Sequence, residues 1–185
     1  MGVALNFKFQ KSKSTSTSLK DWQIRKNEED FQSWLSKLTL PSLFFDGAAK
    51  GNPGIARAGG LIINPDETSL HIFAWGLSHS SSIQAEVMAL FQGIKLLKEL
   101  GLKEANVFGD SQVIIKAVVT NTNPVDLRLA RTITRIKDMT KSLKLKFFHV
   151  LRENNKEADI EANKAVQLVA RTILRDNETF WDPIP

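Results

Sequence analysis

Apolar and polar residues alternate along the chain in blocks that predict three strands first and then strands alternating with helices. A turn signal at Asn64, Pro65 and Asp66 separates the second strand from the third, so the first three strands are predicted to form an antiparallel meander. Apolar residues at helical spacing predict a long helix over residues 83–100, which ends at Gly101. The five predicted strands are residues 43–45, 58–63, 70–77, 105–108 and 145–150, and the later helices are residues 112–119, 125–143 and 156–174.

This order predicts an α/β fold with a five-stranded mixed sheet, in which two parallel strands join the three-stranded antiparallel meander and helices flank the sheet. The predicted domain spans residues 41–175. Residues 1–40 are expected to be an N-terminal extension or linker, partly disordered over the polar tract KSKSTSTS and helical over residues 28–38. Residues 176–185 are expected to be an irregular C-terminal tail, because FWDPIP contains two prolines.

Composition narrows the function classes. The 185 residues carry a net charge of +5 with a sequence pI of about 9.5, which favours nucleic acid as a partner, although surplus lysine on a soluble protein is the alternative. The absence of cysteine excludes disulfides, thiolate zinc sites and cysteine nucleophiles. No apolar run is long enough to span a membrane, and no signal-peptide core is visible at the N-terminus. We therefore expect no membrane partner, an intracellular location, nuclear or cytoplasmic, and a monomer.

Four acidic residues stand at positions where an apolar side chain or a turn would be ordinary. Asp46 and Asp110 follow apolar strands, and if these strands are parallel neighbours both acids lie at the carboxyl end of the sheet. Glu86 lies on the apolar stripe of the long helix, and Asp159 lies in the first turn of the last helix. Each acid alone has an ordinary explanation: a turn, partial exposure, a cap or the helix dipole.

Four acids that converge would repel one another unless a cation neutralised them. Oxygen ligands of this kind favour Mg²⁺ or Mn²⁺ over zinc. The pattern therefore predicts a metal site at the sheet edge.

Four sequence blocks then occur in order, each with one of these acids: FFDGAAKGNPGIARAGGLI, SSIQAEVMALFQGI, VFGDSQVIIKAV and HVLRENNKEADIEANKA. Together they resemble the type 1 ribonuclease H domain, most closely the plant and retrotransposon branch attached to reverse transcriptases. The likeness covers about residues 42–167. It implies a ribonuclease H-like fold and a hydrolase, a metal-dependent endonuclease that cuts the RNA strand of RNA–DNA hybrids.

By this resemblance, Asp46, Glu86, Asp110 and Asp159 correspond to the family's catalytic and metal-binding carboxylates. The family uses two Mg²⁺ ions, for which Mn²⁺ can substitute, and Asp46 would bridge both. One ion activates the attacking water and the other stabilises the leaving 3′ oxygen, so the products carry 5′-phosphates.

The resemblance also implies a set of nucleic-acid contacts. Asn52 lies in the family's glycine-rich turn near the hybrid backbone. Ser82 and Ile83 stand where many members carry two asparagines, and Arg152 would substitute for a loop histidine that this chain lacks. The predicted contacts are Gly51, Asn52, Gly54, Ser82, Gln84, Ser111, Arg152 and Asn155.

Two other functions remain open. The chain could be a ribonuclease H-like domain that binds nucleic acid without cutting it, or a structural remnant of a reverse transcriptase polyprotein. Either way, a longer parent protein with a reverse transcriptase domain is an expected partner. Retention of all four carboxylates favours the nuclease.

Overall fold

The computed structural model contains one mixed β-sheet. It describes residues 19–66, 70–120, 122–164, 172–175 and 178–181. Its strands are β1 Ser42–Gly51, β2 Gly54–Ile63, β3 Leu70–Ser80, β4 Glu104–Gly109, β5 Lys144–His149, β6 Thr172–Arg175 and β7 Glu178–Trp181. The α-helices are α1 Glu28–Leu35, α2 Ser82–Glu99, α3 Gln112–Val119, α4 Leu127–Thr140 and α5 Lys156–Lys164, with a 3-10 turn at Arg152–Asn154. The polar tract predicted to be disordered lies outside the described residues.

The strand order is β5-β4-β1-β2-β3-β6-β7. β1, β2 and β3 form the antiparallel meander, while β4 runs parallel to both β1 and β5. The predicted α/β fold with three antiparallel and two parallel strands is therefore confirmed.

The C-terminal elements differ from the prediction. The last helix is described only as far as Lys164, and Thr172–Arg175 is a strand instead of the helix predicted to reach residue 174. β6 pairs antiparallel with β3, and β7 forms in the tail that was predicted to be irregular. Both segments are rich in β-branched or aromatic residues. β3 offers β6 an edge whose backbone groups need partners, and β6 in turn pairs with β7. The two prolines that suggested irregularity come only after β7.

The first hairpin is also longer than predicted. β1 continues to Gly51 and β2 begins at Gly54, so both strands extend beyond the predicted residues 43–45 and 58–63, and the GNPG block forms the tight turn between them. Gly51 has a φ of +88°, a conformation that favours glycine.

Helix α2 covers one face of the sheet. Its N-terminus is capped by Ser81, whose hydroxyl accepts from the backbone N–H of Gln84. Its apolar stripe, including Leu90 and Ile94, packs against Leu43 and other sheet residues in the main core cluster. Among the described residues, no helix has both the length and the apolar composition that a bilayer span requires.

The segment before β1 packs on the opposite face of the sheet. Phe31 of α1 is fully buried, and its ring lies edge-on to those of Phe44 and Phe108. Trp34 and Phe148 complete this aromatic cluster. The described part of the predicted extension is thus built into the hydrophobic core.

Candidate active site

Asp46 and Asp110 come together where the parallel half of the sheet ends. The pairing of β1 with β4 runs from Ser42 to Phe44, so Asp46 lies two residues beyond it, and Asp110 directly follows β4. Asp46 is not at the end of its strand, because β1 continues to pair with β2 alone, where Asp46 faces Gly59. The two acids nevertheless lie at the carboxyl end of the parallel strands.

Two glycines allow helices to approach this point closely. A methyl group at Gly47 would overlap the backbone of Ala85 and Glu86 in α2. A methyl group at Gly59 would overlap the backbone of Ala162 in α5, the helix that carries Asp159 in its first turn. The two helices therefore bring Glu86 and Asp159 towards Asp46.

The resulting acid site is compact. Asp46, Glu86 and Asp110 each offer a carboxylate oxygen, and these oxygens all lie within 4.8 Å of one another. Asp46 is buried at 7% exposure, Glu86 and Asp110 are partly buried, and Asp159 is exposed but shares a side-chain hydrogen bond with Asp46. The structure thus brings all four sequence-predicted acids to one place.

The acids disfavour one another's ionised forms. Burial, followed by the charges of Asp110 and Glu86, raises the pKa of Asp46 to about 8. Burial and the charge of Asp110 raise the pKa of Glu86 to about 7, against a lowering hydrogen bond with Ser111. The pKa of Asp110 is also raised, mainly by burial, while Arg152 opposes the rise. The positive charge of Arg152 therefore does not offset the burial and mutual repulsion of the carboxyl groups.

The donor set suits a hard divalent cation. Within the described part of the chain, Glu86 Oε2 is buried and accepts no hydrogen bond, which is costly for a carboxylate oxygen. A cation among the three clustered carboxylates would satisfy this atom and offset the repulsion. Asp46, Glu86 and Asp110 could hold such an ion directly, with Asp159 beside Asp46.

The predicted nucleic-acid contacts divide into two groups, of which the first lies beside a groove. Asn52 Oδ1 accepts from the backbone N–H of Ser82 at 3.2 Å, which ties the glycine-rich turn of Gly51 and Gly54 to the start of α2. Asn52 and Gln84 line a groove of about 1090 Å³ together with Arg128. Gln84 belongs to α2, the helix that also carries Glu86, but none of the four acids lines this groove.

The second group surrounds the acids themselves. Ser111 hydrogen-bonds Glu86, and Arg152 Nε lies 3.6 Å from Asp110 Oδ2 with its side chain 94% exposed. Asn155, in contrast, is buried at 1% exposure and donates to the Phe45 carbonyl at 2.9 Å. Its burial contradicts the predicted nucleic-acid contact.

Asn155 has a structural role instead. Its own carbonyl accepts from the backbone N–H of Asp159 at 3.2 Å, so it joins the strand of Asp46 to the helix of Asp159. The polar character of its loop suggested exposure, and no local pattern in the sequence distinguishes a buried asparagine from an exposed one.

Known proteins match the domain that carries the site. The profile of the family described as reverse transcriptase-like matches residues 44–165, which include all four acids. Ribonuclease HI of Halobacterium salinarum is 31% identical over 125 residues, or 66% of this chain and 62% of that protein. The crystal structure of RNase H1 from that archaeon superposes with a TM-score of 0.66 at 27% identity, over 70% of this chain and 98% of that one. The chain belongs to the reverse transcriptase-like family, as a type 1 ribonuclease H domain.

A second solved neighbour of this ribonuclease H domain contains nucleic acid. The structure of LC11-RNase H1 in complex with an RNA/DNA hybrid has a TM-score of 0.64 and 26% identity, over 68% of this chain and 96% of that chain. The chain spans about three fifths of the length of the curated Halobacterium relative.

The raised carboxyl pKa values predict that the metal-free domain becomes less stable as pH rises. In the folded state, Asp46 stays protonated up to about pH 8 and Glu86 up to about pH 7. In the unfolded state, both carboxyl groups lose their protons near pH 4 to 5. The folded state thus binds more protons across this window, and raising the pH favours unfolding. We expect the free energy of unfolding, measured by urea titration in EDTA, to fall by about 2 kcal/mol between about pH 5 and about pH 8. A flat profile would contradict the clustering of the acids.

Proposed function

We propose that this domain is a metal-dependent endonuclease that hydrolyses the RNA strand of RNA–DNA hybrids and leaves 5′-phosphate ends. The observation that carries the proposal is the cluster of Asp46, Glu86 and Asp110, whose carboxylate oxygens lie within 4.8 Å and include the buried, unpartnered Glu86 Oε2. Carboxylates so close and so poorly neutralised are costly to a fold that does not use them.

We propose two Mg²⁺ ions, replaceable by Mn²⁺, as the cofactor. When bound, they would supply the Lewis acidity that activates water and neutralises charge on the leaving oxygen. Asp46 is the residue best placed to be shared between two ions, because its carboxylate adjoins Glu86, Asp110 and Asp159. Glu86 and Asp110 would supply further carboxylate ligands. Asp159, which is exposed, would supply a ligand at the solvent side of the site.

The chain's own basic and polar groups would orient the hybrid. The exposed guanidinium of Arg152 lies beside Asp110, where it can contact a backbone phosphate. The groove lined by Asn52, Gln84 and Arg128 offers donors for a second stretch of backbone. Selectivity for RNA would come from 2′-hydroxyl contacts around the Asn52 turn. The hybrid bound in the LC11-RNase H1 neighbour supports this substrate.

We further propose that the domain works as a monomer inside the cell, in a longer parent protein that also carries a reverse transcriptase, as in a retrotransposon. The description of its family supports the reverse transcriptase link. The net charge of +5 supports a polyanionic partner.

A non-catalytic nucleic-acid binder is the second candidate. Ser82 and Ile83 favour it, because neither offers the paired side-chain amides that stand there in many members, and the Ser82 N–H is already engaged by Asn52.

A Mg²⁺ titration with an end-labelled hybrid separates these functions. We expect cleavage of the RNA strand into 5′-phosphate products, activity with Mn²⁺, loss of activity in EDTA, and no cleavage of a DNA duplex of the same sequence. Hybrid binding without cleavage at any metal concentration would establish the non-catalytic binder. Neither binding nor cleavage would indicate a structural remnant.

A further inference from the structure

A chain of two hydrogen bonds links the N-terminal segment to the acid site. The guanidinium NH1 of Arg25 lies 2.8 Å from His149 Nδ1, and His149 Nε2 lies 3.0 Å from the carbonyl oxygen of Asp110. Arg25 lies outside residues 44–165, over which the family profile matches. These two hydrogen bonds therefore couple a segment outside the matched family profile to one of the four acids.

The chemistry of the two outer groups determines the state of the imidazole. A guanidinium can only donate, so His149 Nδ1 must accept and carries no proton. A carbonyl oxygen can only accept, so Nε2 must carry the proton and donate to Asp110. Arg25 thus selects the one neutral tautomer of His149 that can hold the Asp110 carbonyl.

The backbone around Arg25 is held at the same place. The His149 backbone N–H donates to the Trp22 carbonyl at 2.7 Å, and the Ile24 N–H donates to the His149 carbonyl at 2.9 Å. One residue further on, the carbonyl of Lys26 accepts from Asn154 Nδ2 at 2.9 Å, within the loop that carries Arg152. The Arg25 backbone is therefore held at the edge of β5 by the isolated parallel bridge between Gln23 and His149.

The Asp110 carboxylate hydrogen-bonds its own backbone N–H, so a restraint on this backbone also bears on the carboxylate. The carboxylate also contacts Arg152, but that side chain is 94% exposed and its Nε lies 3.6 Å away, so the contact is weak. The bond from the buried His149 to the Asp110 carbonyl restrains the backbone from which that carboxylate projects.

We propose that Arg25 is a positioning residue of the acid site, which acts through His149 to hold Asp110 in the orientation that binds the metal. Removing a group that orients a metal ligand through a hydrogen bond commonly weakens metal binding by about 10- to 100-fold. This inference rests on the proposed metal-dependent function, since it concerns a carboxylate assigned to that metal.

The test measures Mn²⁺ binding to the full chain without nucleic acid, by isothermal titration calorimetry. We expect Arg25→Met, which keeps the aliphatic stem but removes the donors, to weaken Mn²⁺ binding by about tenfold. Arg25→Lys should recover part of the affinity, because an ammonium can still donate to Nδ1. Lys37→Met is the matched control, since it removes an exposed basic side chain of the same segment, and should leave the affinity unchanged.

A double-mutant cycle tests the route through His149. In a His149→Gln background, where the Gln amide can still donate towards Asp110, Arg25→Met should have little further effect on Mn²⁺ affinity. In the cleavage assay, Arg25→Met should lower kcat while leaving the KM for the hybrid nearly unchanged.

The outcomes separate the two proposals. If the wild-type chain binds Mn²⁺ and Arg25→Met binds it equally well, with only a lower Tm, Arg25 is merely structural and the inference fails while the proposed function stands. If additive losses appear in the double mutant, Arg25 does not act through His149. If the wild-type chain binds no Mn²⁺, the proposed function fails and the inference fails with it.

Discussion

Replacing Asp46 with asparagine is expected to lower the rate of hybrid cleavage by about 10³-fold or more. Removing a single group that stabilises charge in the transition state typically slows an enzyme by about this factor. Asp46 adjoins the other three acids, so its carboxylate is the one that two cations would share. An asparagine keeps the shape of the side chain but supplies only one weak ligand oxygen.

The same substitution should not harm the fold. Because the pKa of Asp46 is raised to about 8, its ionised form is disfavoured in the metal-free protein, and a neutral amide removes that penalty. We therefore expect Asp46→Asn to have a Tm in EDTA at about pH 8 at least equal to that of the wild type, and to lose the rise in Tm that Mg²⁺ causes.

Asp138→Asn is the matched control for this experiment. Asp138 lies on α4 in an exposed ion pair with Lys141, so the same chemical change there should alter neither cleavage nor the response to Mg²⁺. Near wild-type cleavage by Asp46→Asn would overturn the assignment of the site.

Replacing Gly47 with alanine is expected to produce the second large effect, through packing alone. The added methyl group would overlap the backbone of Ala85 and Glu86, which cannot rotate away as a side chain can. Helix α2 must shift away from β1, at a cost of about 3 kcal/mol in the free energy of unfolding. Because the shifted helix carries Glu86, hybrid cleavage should fall by about 100-fold even at temperatures where the variant remains folded.

Gly93→Ala is the comparison on the same helix. There the added methyl group would lie 2.7 Å from the Leu43 Cδ1 atom, the end of a flexible side chain, and alanine is the better helix former. We expect a loss of about 1 to 2 kcal/mol in unfolding free energy, smaller than at Gly47, and nearly unchanged cleavage. Urea denaturation and cleavage assays on the two variants would contradict this account if Gly93→Ala were as damaging as Gly47→Ala.

The sequence by itself determined the order of the five main strands, the antiparallel meander, helix α2 and the four acids. These features have local signatures: apolar periodicity, glycine and proline at turns, and an acid at the end of an apolar run. Asp46 and Asp110 were expected to meet if the strands before them were parallel neighbours, because such strands bring their carboxyl ends together. The family likeness then joined Glu86 and Asp159 to them.

Only the tertiary structure decided how the rest of the chain supports that site. Phe31 was expected in a short helix of a linker, yet it fills the core beneath β1 and β4. Residues 172–175 and 178–181 pair as antiparallel strands, where a helix end and an irregular tail were expected. Asn155 was expected to face nucleic acid, but it is buried against Phe45. Arg25 reaches His149 across 124 positions of sequence. Contacts between residues so far apart in sequence produce no periodic pattern that could predict them. They depend on which surfaces of the folded sheet remain uncovered, and only the packing of the helices and strands determines those surfaces.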